Sequence, residues 1–63
     1  MTDQERTALR AMTVPEIRRA QGIVRMQLPL AYESRNTVAL VRLQEWENDY
    51  AEEMMRRLMA GVA

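Results

Sequence analysis

Residues 31–60 contain neither glycine nor proline, and Gly61 follows them directly. A stretch of this kind predicts one long helix that ends at a glycine cap. Ser34 and Asn36 are both suitable residues for capping its start. We therefore expect a helix over about residues 34–60, which dominates any fold available to a chain of 63 residues.

The apolar residues of this predicted helix cover a wide sector of its surface. At 100° per residue they fill about 180°, whereas a helix packed on one neighbour needs little more than about 100°. A helix over residues 34–60 is also about 40 Å long, against roughly 27 Å for the diameter of a compact chain of this size. We therefore expect another chain to cover part of this face. The predicted interface residues are Leu40, Leu43, Trp46, Glu47, Tyr50, Met54, Met55, Leu58 and Met59.

The opposite side of the same helix is charged and is interpreted as a solvated face. Its residues are Arg42, Glu45, Asp49, Glu52, Glu53 and Arg56. Glu53 and Arg57 are spaced as a favourable i,i+4 pair, and so are Glu52 and Arg56. Glu47 falls inside the apolar sector, where a lone carboxylate is costly, so we expect it to pair with an arginine of the preceding helix or of another copy.

Two Thr-x-x-Glu sequences predict two further helix starts. Thr2 precedes Glu5 and Thr13 precedes Glu16, and each pair fits a capping box in which both side chains bond to backbone amides. Proline at the second residue after Thr13 is compatible with a first helical turn. The predicted helices span about residues 3–12 and 14–27.

Pro29 is expected to end the second helix, because a proline disfavours helical geometry at the residue before it. The predicted fold is all-α, with a single small domain over residues 1–63. A short N-terminal helix precedes a helical hairpin whose C-terminal helix is long. We expect the chain to assemble as a helix-bundle homo-oligomer, because a domain of about 60 residues buries only about 60% of its unfolded surface.

The composition argues against several classes of function. The sequence contains no cysteine and no histidine, so it offers no disulfide, thiol nucleophile, imidazole base or structural zinc site. Without histidine, the acidic residues of the long helix do not match the Glu-x-x-His pattern of di-metal bundles. We expect no enzyme activity, cofactor, metal or small-molecule substrate. No apolar run approaches the roughly 18 residues of a membrane span, and a cytoplasmic location without a secretory leader is expected.

Charge is balanced overall but unevenly distributed. All nine basic residues are arginine, and nine acidic residues give a net charge of zero. Residues 1–44 carry seven arginines and four acids, whereas residues 45–63 carry two arginines and five acids. This asymmetry favours pairing between the second and third helices, and it equally suits two antiparallel copies in an isologous dimer.

The segment Thr13–Ile23 resembles the first helix and turn of a helix-turn-helix DNA-binding motif. The resemblance implies a small dimeric transcriptional regulator in which Arg18, Arg19 and Arg25 contact nucleic acid or an acidic partner. The segment departs from the motif at Arg18, where a small residue is usual. Pro29 falls where the recognition helix should run, and the neutral net charge supplies no strong phosphate-binding field.

The function predicted from the sequence is therefore protein–protein interaction through an apolar helix face. The chain is expected to be an accessory, inhibitor or assembly subunit, and its short length suggests a virus or mobile element. Its expected partners are a second copy of itself and a larger protein. DNA binding through the arginine-rich second helix is the alternative.

Overall fold

The computed structural model describes residues 2–61, and over that range the chain forms three α-helices. Helix α1 spans Asp3–Ala11, α2 spans Val14–Glu33 and α3 spans Thr37–Ala60. The described residues include no β-strand, so the all-α prediction is confirmed for them. Met1, Val62 and Ala63 of the predicted domain lie outside the described residues.

Both predicted capping boxes are confirmed. The Thr2 hydroxyl accepts a hydrogen bond from the Glu5 amide at 3.2 Å, and the Glu5 carboxylate accepts one from the Thr2 amide. Thr13 and Glu16 repeat the arrangement at the start of α2, with 3.3 Å from the Glu16 amide to the Thr13 hydroxyl. These bonds satisfy amides that have no partner within the helix, and they lower the pKa of both glutamates.

The predicted end of α2 at Pro29 is wrong, because the helix continues through this residue to Glu33. Proline lacks an amide hydrogen, so the Arg25 carbonyl loses its usual donor. The last turn is nevertheless held by packing, since Leu28 and Ala31 contact the apolar cluster shared with α3. Tertiary contacts of this kind override a local preference against helix.

A tight turn at residues 34–36 joins α2 to α3. The Asn36 amide donates to the Ala31 carbonyl at 3.0 Å and the Arg35 amide donates to the Tyr32 carbonyl at 3.1 Å. This pair of bonds is a Schellman motif, which requires a left-handed residue, and Arg35 takes that role with φ of 56°. The Asn36 side chain then caps α3 by accepting a bond from the Ala39 amide at 3.1 Å.

Helix α3 gives the molecule its elongated shape. It ends at the Gly61 cap, as predicted, and its 24 residues correspond to about 36 Å of helix. The Cα atoms extend over 44 × 21 × 15 Å, with a radius of gyration of 12.9 Å. That radius exceeds the roughly 11 Å of a compact chain of this length.

The apolar core is small. Val24 and Ala31 of α2 form a buried cluster with Leu43 of α3. Partly buried side chains complete its edge, namely Leu28, Ala39, Leu40, Trp46 and Tyr50. Ile17 is fully buried in α2 and Leu9 is buried in α1, which gives five buried hydrophobic residues in the described range. A core of this size leaves much of the apolar side-chain surface outside it.

Candidate interaction surfaces

The predicted interface residues of α3 fall into three groups of different exposure. Leu43 is buried in the cluster shared with α2. The half-buried residues are Leu40, Trp46, Glu47, Tyr50 and Met54. The exposed residues are Met55, Leu58 and Met59, whose exposed fractions are 57%, 62% and 71%. Most of the predicted face is therefore occupied within the chain itself.

Helix α1 covers part of the predicted interface of α3. Ala8 and Leu9 of α1, together with Met12 just after it, line the same small cavity as Trp46 and Tyr50 of α3. Partial burial there raises the pKa of the Tyr50 hydroxyl. The two aromatic residues are thus edges of the intramolecular core, and the exposed part of the predicted face is the trio Met55, Leu58 and Met59, which we call the α3 patch.

A groove borders the α3 patch on the side of α1. It has a volume of about 400 Å³. Its lining combines three apolar side chains with charges of both signs: Leu9, Met55 and Met59 with Arg6, Arg10, Arg56, Asp49, Glu52 and Glu53. A groove lined by apolar and charged side chains together is the kind of surface on which a docking site binds one or two anchor side chains and fixes their orientation.

Glu53 is buried, which corrects the prediction that it lies on a solvated face. Its exposed fraction is 6%. Arg56 binds its carboxylate through two nitrogens, with Nε to Oε1 at 2.9 Å and Nη2 to Oε2 at 2.7 Å. Arg57 Nε adds a third bond to Oε2 at 2.7 Å, which confirms the predicted pair of these two residues. The predicted Glu52–Arg56 pair does not form, because Arg56 is engaged by Glu53.

The same network ties α1 to α3. Arg57 Nη2 donates to the Leu9 and Arg10 carbonyls, each at 3.1 Å. These carbonyls belong to the last turn of α1, where helix carbonyls carry partial negative charge, and the Leu9 carbonyl also accepts a bond from the Met12 amide at 3.1 Å. Hydrogen bonds from Arg56 and then Arg57 lower the pKa of Glu53 from 4.5 to about 2. The network is structural: it positions Arg57 to cap α1.

The arginines of α2 are spread over two sides of that helix. Arg18 and Arg25 are seven residues apart and share a side, whereas Arg19 lies about 100° around the helix from Arg18. All three are exposed. Arg25 Nε meets Glu47 Oε1 at 3.4 Å, which confirms that Glu47 pairs with an arginine of the second helix. The arginines therefore form no single compact patch within the described residues.

A second exposed apolar surface lies on α2 and was not identified from the sequence. Ile23, Met26 and Leu30 are 50%, 74% and 63% exposed. They recur at intervals of three and four residues, so they share one side of the helix, which we call the α2 stripe. The spacing of these three residues is visible in the sequence. It was missed because a helix that ends before Pro29 does not include Leu30.

Residues 2–61 contain no group of three or more acidic side chains placed to hold a metal ion. Within the same range, no helix is both long enough and apolar enough to cross a membrane. Comparison of the chain with protein-family models, with curated proteins and with solved structures found no match.

Proposed function

We propose that this chain is a non-enzymatic protein–protein interaction module that binds a larger protein through the α3 patch. Its role is that of an accessory, inhibitor or assembly subunit. The observation that carries the proposal is the exposure of Met55, Leu58 and Met59 on one end of α3, each more than half exposed. Clustered exposed apolar side chains with a polar surround are typical of protein-binding sites.

The balance between exposed and buried apolar residues supports this role. Ten large hydrophobic residues of the described range are at least 38% exposed, whereas five hydrophobic residues are buried. Single exposed apolar residues are normal on protein surfaces. The α2 stripe and the α3 patch are different, because each is a cluster of three exposed apolar residues. A partner that covers either group adds the apolar burial that the small core does not supply.

The chemistry of the α3 patch favours an apolar anchor from a partner helix. Methionine side chains are flexible and polarizable, so they adapt to the shape of the group that docks on them. The groove beside Met55 and Met59 accommodates such an anchor, and Arg6, Arg10 and Glu52 in its lining provide charges of both signs. These charges set the register and choice of partner more than the affinity.

We propose that α2 and α3 form a helical hairpin that serves as the rigid support of the module, with α1 held across its end by Arg57. The contacts between Arg25 and Glu47, and between Ala31 and the Leu43 cluster, support that arrangement. The proposed setting is the cytoplasm, with which the cysteine-free composition is compatible.

The test uses one charge at the centre of the patch and a matched charge away from it. Met55→Glu and Gln44→Glu each add one carboxylate to an exposed position of α3, and Gln44 lies 11 residues, or about 16 Å, before Met55. Proteins captured by the tagged wild-type chain are purified, and their affinities for all three chains are measured by calorimetry. Circular dichroism verifies that each variant is folded.

We expect Met55→Glu to weaken binding at least about tenfold, since burying a charge at an apolar contact costs more than about 1.4 kcal/mol. Gln44→Glu should bind within about twofold of wild type, as expected for a change away from the contact. Equal affinities of all three chains, or the recovery of no protein that binds the purified wild type, would refute the proposed function.

A further inference from the structure

The α2 stripe faces away from the core of the chain. The buried residues of α2 are Ile17, Val24 and Ala31, which recur every seven residues. At 100° per residue, the centre of the stripe lies about 130° around the helix from that buried line. The stripe is therefore an apolar surface that α1 and α3 do not cover, and it is separate from the α3 patch.

Charged residues of opposite sign flank the stripe. Arg19 precedes Ile23 by four residues, and Glu33 follows Leu30 by three, so both lie on the same side of α2. Both are exposed, and neither has an ion-pair partner within 4.0 Å among residues 2–61. They are 14 residues apart, which corresponds to about 21 Å along the helix.

Met26 lies midway between these two charges, seven residues from each. A two-fold axis through Met26, perpendicular to the helix, therefore brings Arg19 of one copy opposite Glu33 of another at both ends. The same axis brings Ile23 beside Leu30 and places the two Met26 side chains in contact. The surface is thus complementary to itself in polarity and charge, as an isologous interface requires.

We propose that the α2 stripe binds a second copy of this chain, with the two α2 helices antiparallel and crossing at Met26. Three apolar side chains from each copy form the centre of the interface, and two Arg19–Glu33 pairs close its ends. Arginine suits this role, because its planar guanidinium binds a carboxylate through two nitrogens. The parallel arrangement is disfavoured, since it places Arg19 beside Arg19 and Glu33 beside Glu33.

The interface is small, so the dimer is expected to be reversible. Stable interfaces bury about 800 Å² on each partner, and one three-residue stripe on a narrow helix provides less than that. We expect a dissociation constant in the micromolar range. Analytical ultracentrifugation at protein concentrations between about 1 and 500 µM measures it. This surface lies on α2 and the proposed partner surface lies on α3, so the two proposals fail separately.

Charge reversal at the two ends gives a test of both the surface and its orientation. Arg19→Glu alone places a second carboxylate opposite Glu33 at both ends, and Glu33→Arg alone places a second guanidinium opposite Arg19. Each variant should dimerise at least about tenfold more weakly than wild type, because like charges face each other in a contact. An equimolar mixture of the two variants should recover a heterodimer, since both ends then pair opposite charges.

Matched variants separate this effect from a general effect of charge. Arg18→Glu makes the same reversal at the neighbouring residue, which lies about 100° away from Arg19, and should dimerise within about twofold of wild type. Met26→Glu should abolish the dimer. A wild-type chain that remains monomeric at about 500 µM, a mixture that recovers no heterodimer, or an equal loss in Arg18→Glu would overturn the proposal.

Discussion

Replacing Glu53 by glutamine tests the inference that a buried charge network fastens α1 to α3. Glutamine keeps the shape of the side chain but removes the charge that binds Arg56 and Arg57. The pKa of Glu53 falls from 4.5 to about 2 in the folded chain, which sets a ceiling of about 3 kcal/mol on the contribution of the charged form. Because the Arg56 side chain is 55% exposed, solvent screens part of this interaction. We therefore expect Glu53→Gln to lower the free energy of unfolding by about 1–2 kcal/mol.

The sign of the pH dependence follows from the direction of the pKa. A carboxyl group whose pKa is lower in the folded state stabilises the fold when it is charged. The contribution of Glu53 is therefore complete above about pH 4.5 and is lost as the pH falls toward 2. The free-energy difference between wild type and Glu53→Gln should be largest near pH 7 and should shrink through that window.

Urea unfolding followed by circular dichroism measures this difference at several pH values. With an m-value of about 1 kcal/mol/M, the variant should unfold at about 1–2 M less urea at pH 7. Glu52→Gln is the matched control, because Glu52 is the exposed neighbour and makes no ion pair within the described range. If Glu53→Gln unfolds too early to measure, NMR titration of the Glu53 carboxyl in wild type provides the same test. A Glu53 pKa near 4.5, or a difference between the variants that does not change with pH, would show that the reasoning is wrong.

Substitutions at three further positions test local features of the fold by thermal or urea unfolding. Arg35→Gly should stabilise the chain by about 1 kcal/mol, because φ of 56° is unfavourable for a residue with a Cβ. Arg35→Ala keeps the Cβ and should not stabilise the chain, so equal effects of the two substitutions would contradict this explanation. Pro29→Ala should raise the free energy of unfolding by about 1–3 kcal/mol, since it restores the donor to the Arg25 carbonyl, and a loss of stability would show that the ring makes a packing contact. Arg25→Ala should cost no more than about 1 kcal/mol and should cost less at high salt, because its pair with Glu47 is exposed; a larger or salt-independent loss would contradict this.

The sequence predicted the features of this fold that depend on neighbouring residues. The two capping boxes, the Gly61 cap and the all-α class each follow from local hydrogen bonding and side-chain periodicity, whereas the sequence left Ser34 and Asn36 open as caps of α3 and the structure selects Asn36. The continuation of α2 through Pro29 did not follow, because it depends on the packing of Leu28 and Ala31 against α3. The left-handed turn at Arg35 is equally invisible, since arginine gives no signal for that conformation.

The surfaces were harder to predict than the helices. The sequence predicts an apolar sector on α3, but it did not show how much of that sector α1 and α2 cover. Glu53 carried a detectable signal, because it follows Trp46 by seven residues and therefore shares its side of the helix. Its burial still required the position of α1, whose carbonyls receive Arg57. Tertiary contacts decide which part of an amphipathic face remains exposed.

The methionine methyl groups report directly on whether the α2 stripe and the α3 patch bind other chains. Met26, Met55 and Met59 are exposed, whereas Met12 and Met54 are half-buried. In a ¹³C-methyl spectrum, we expect the Met26 resonance to shift as the protein concentration rises, and the Met55 and Met59 resonances to shift when a captured partner is added. Met12 and Met54 should change little in either series. Resonances of Met26, Met55 and Met59 that do not move with concentration or with any captured protein would contradict the claim that these surfaces bind other chains.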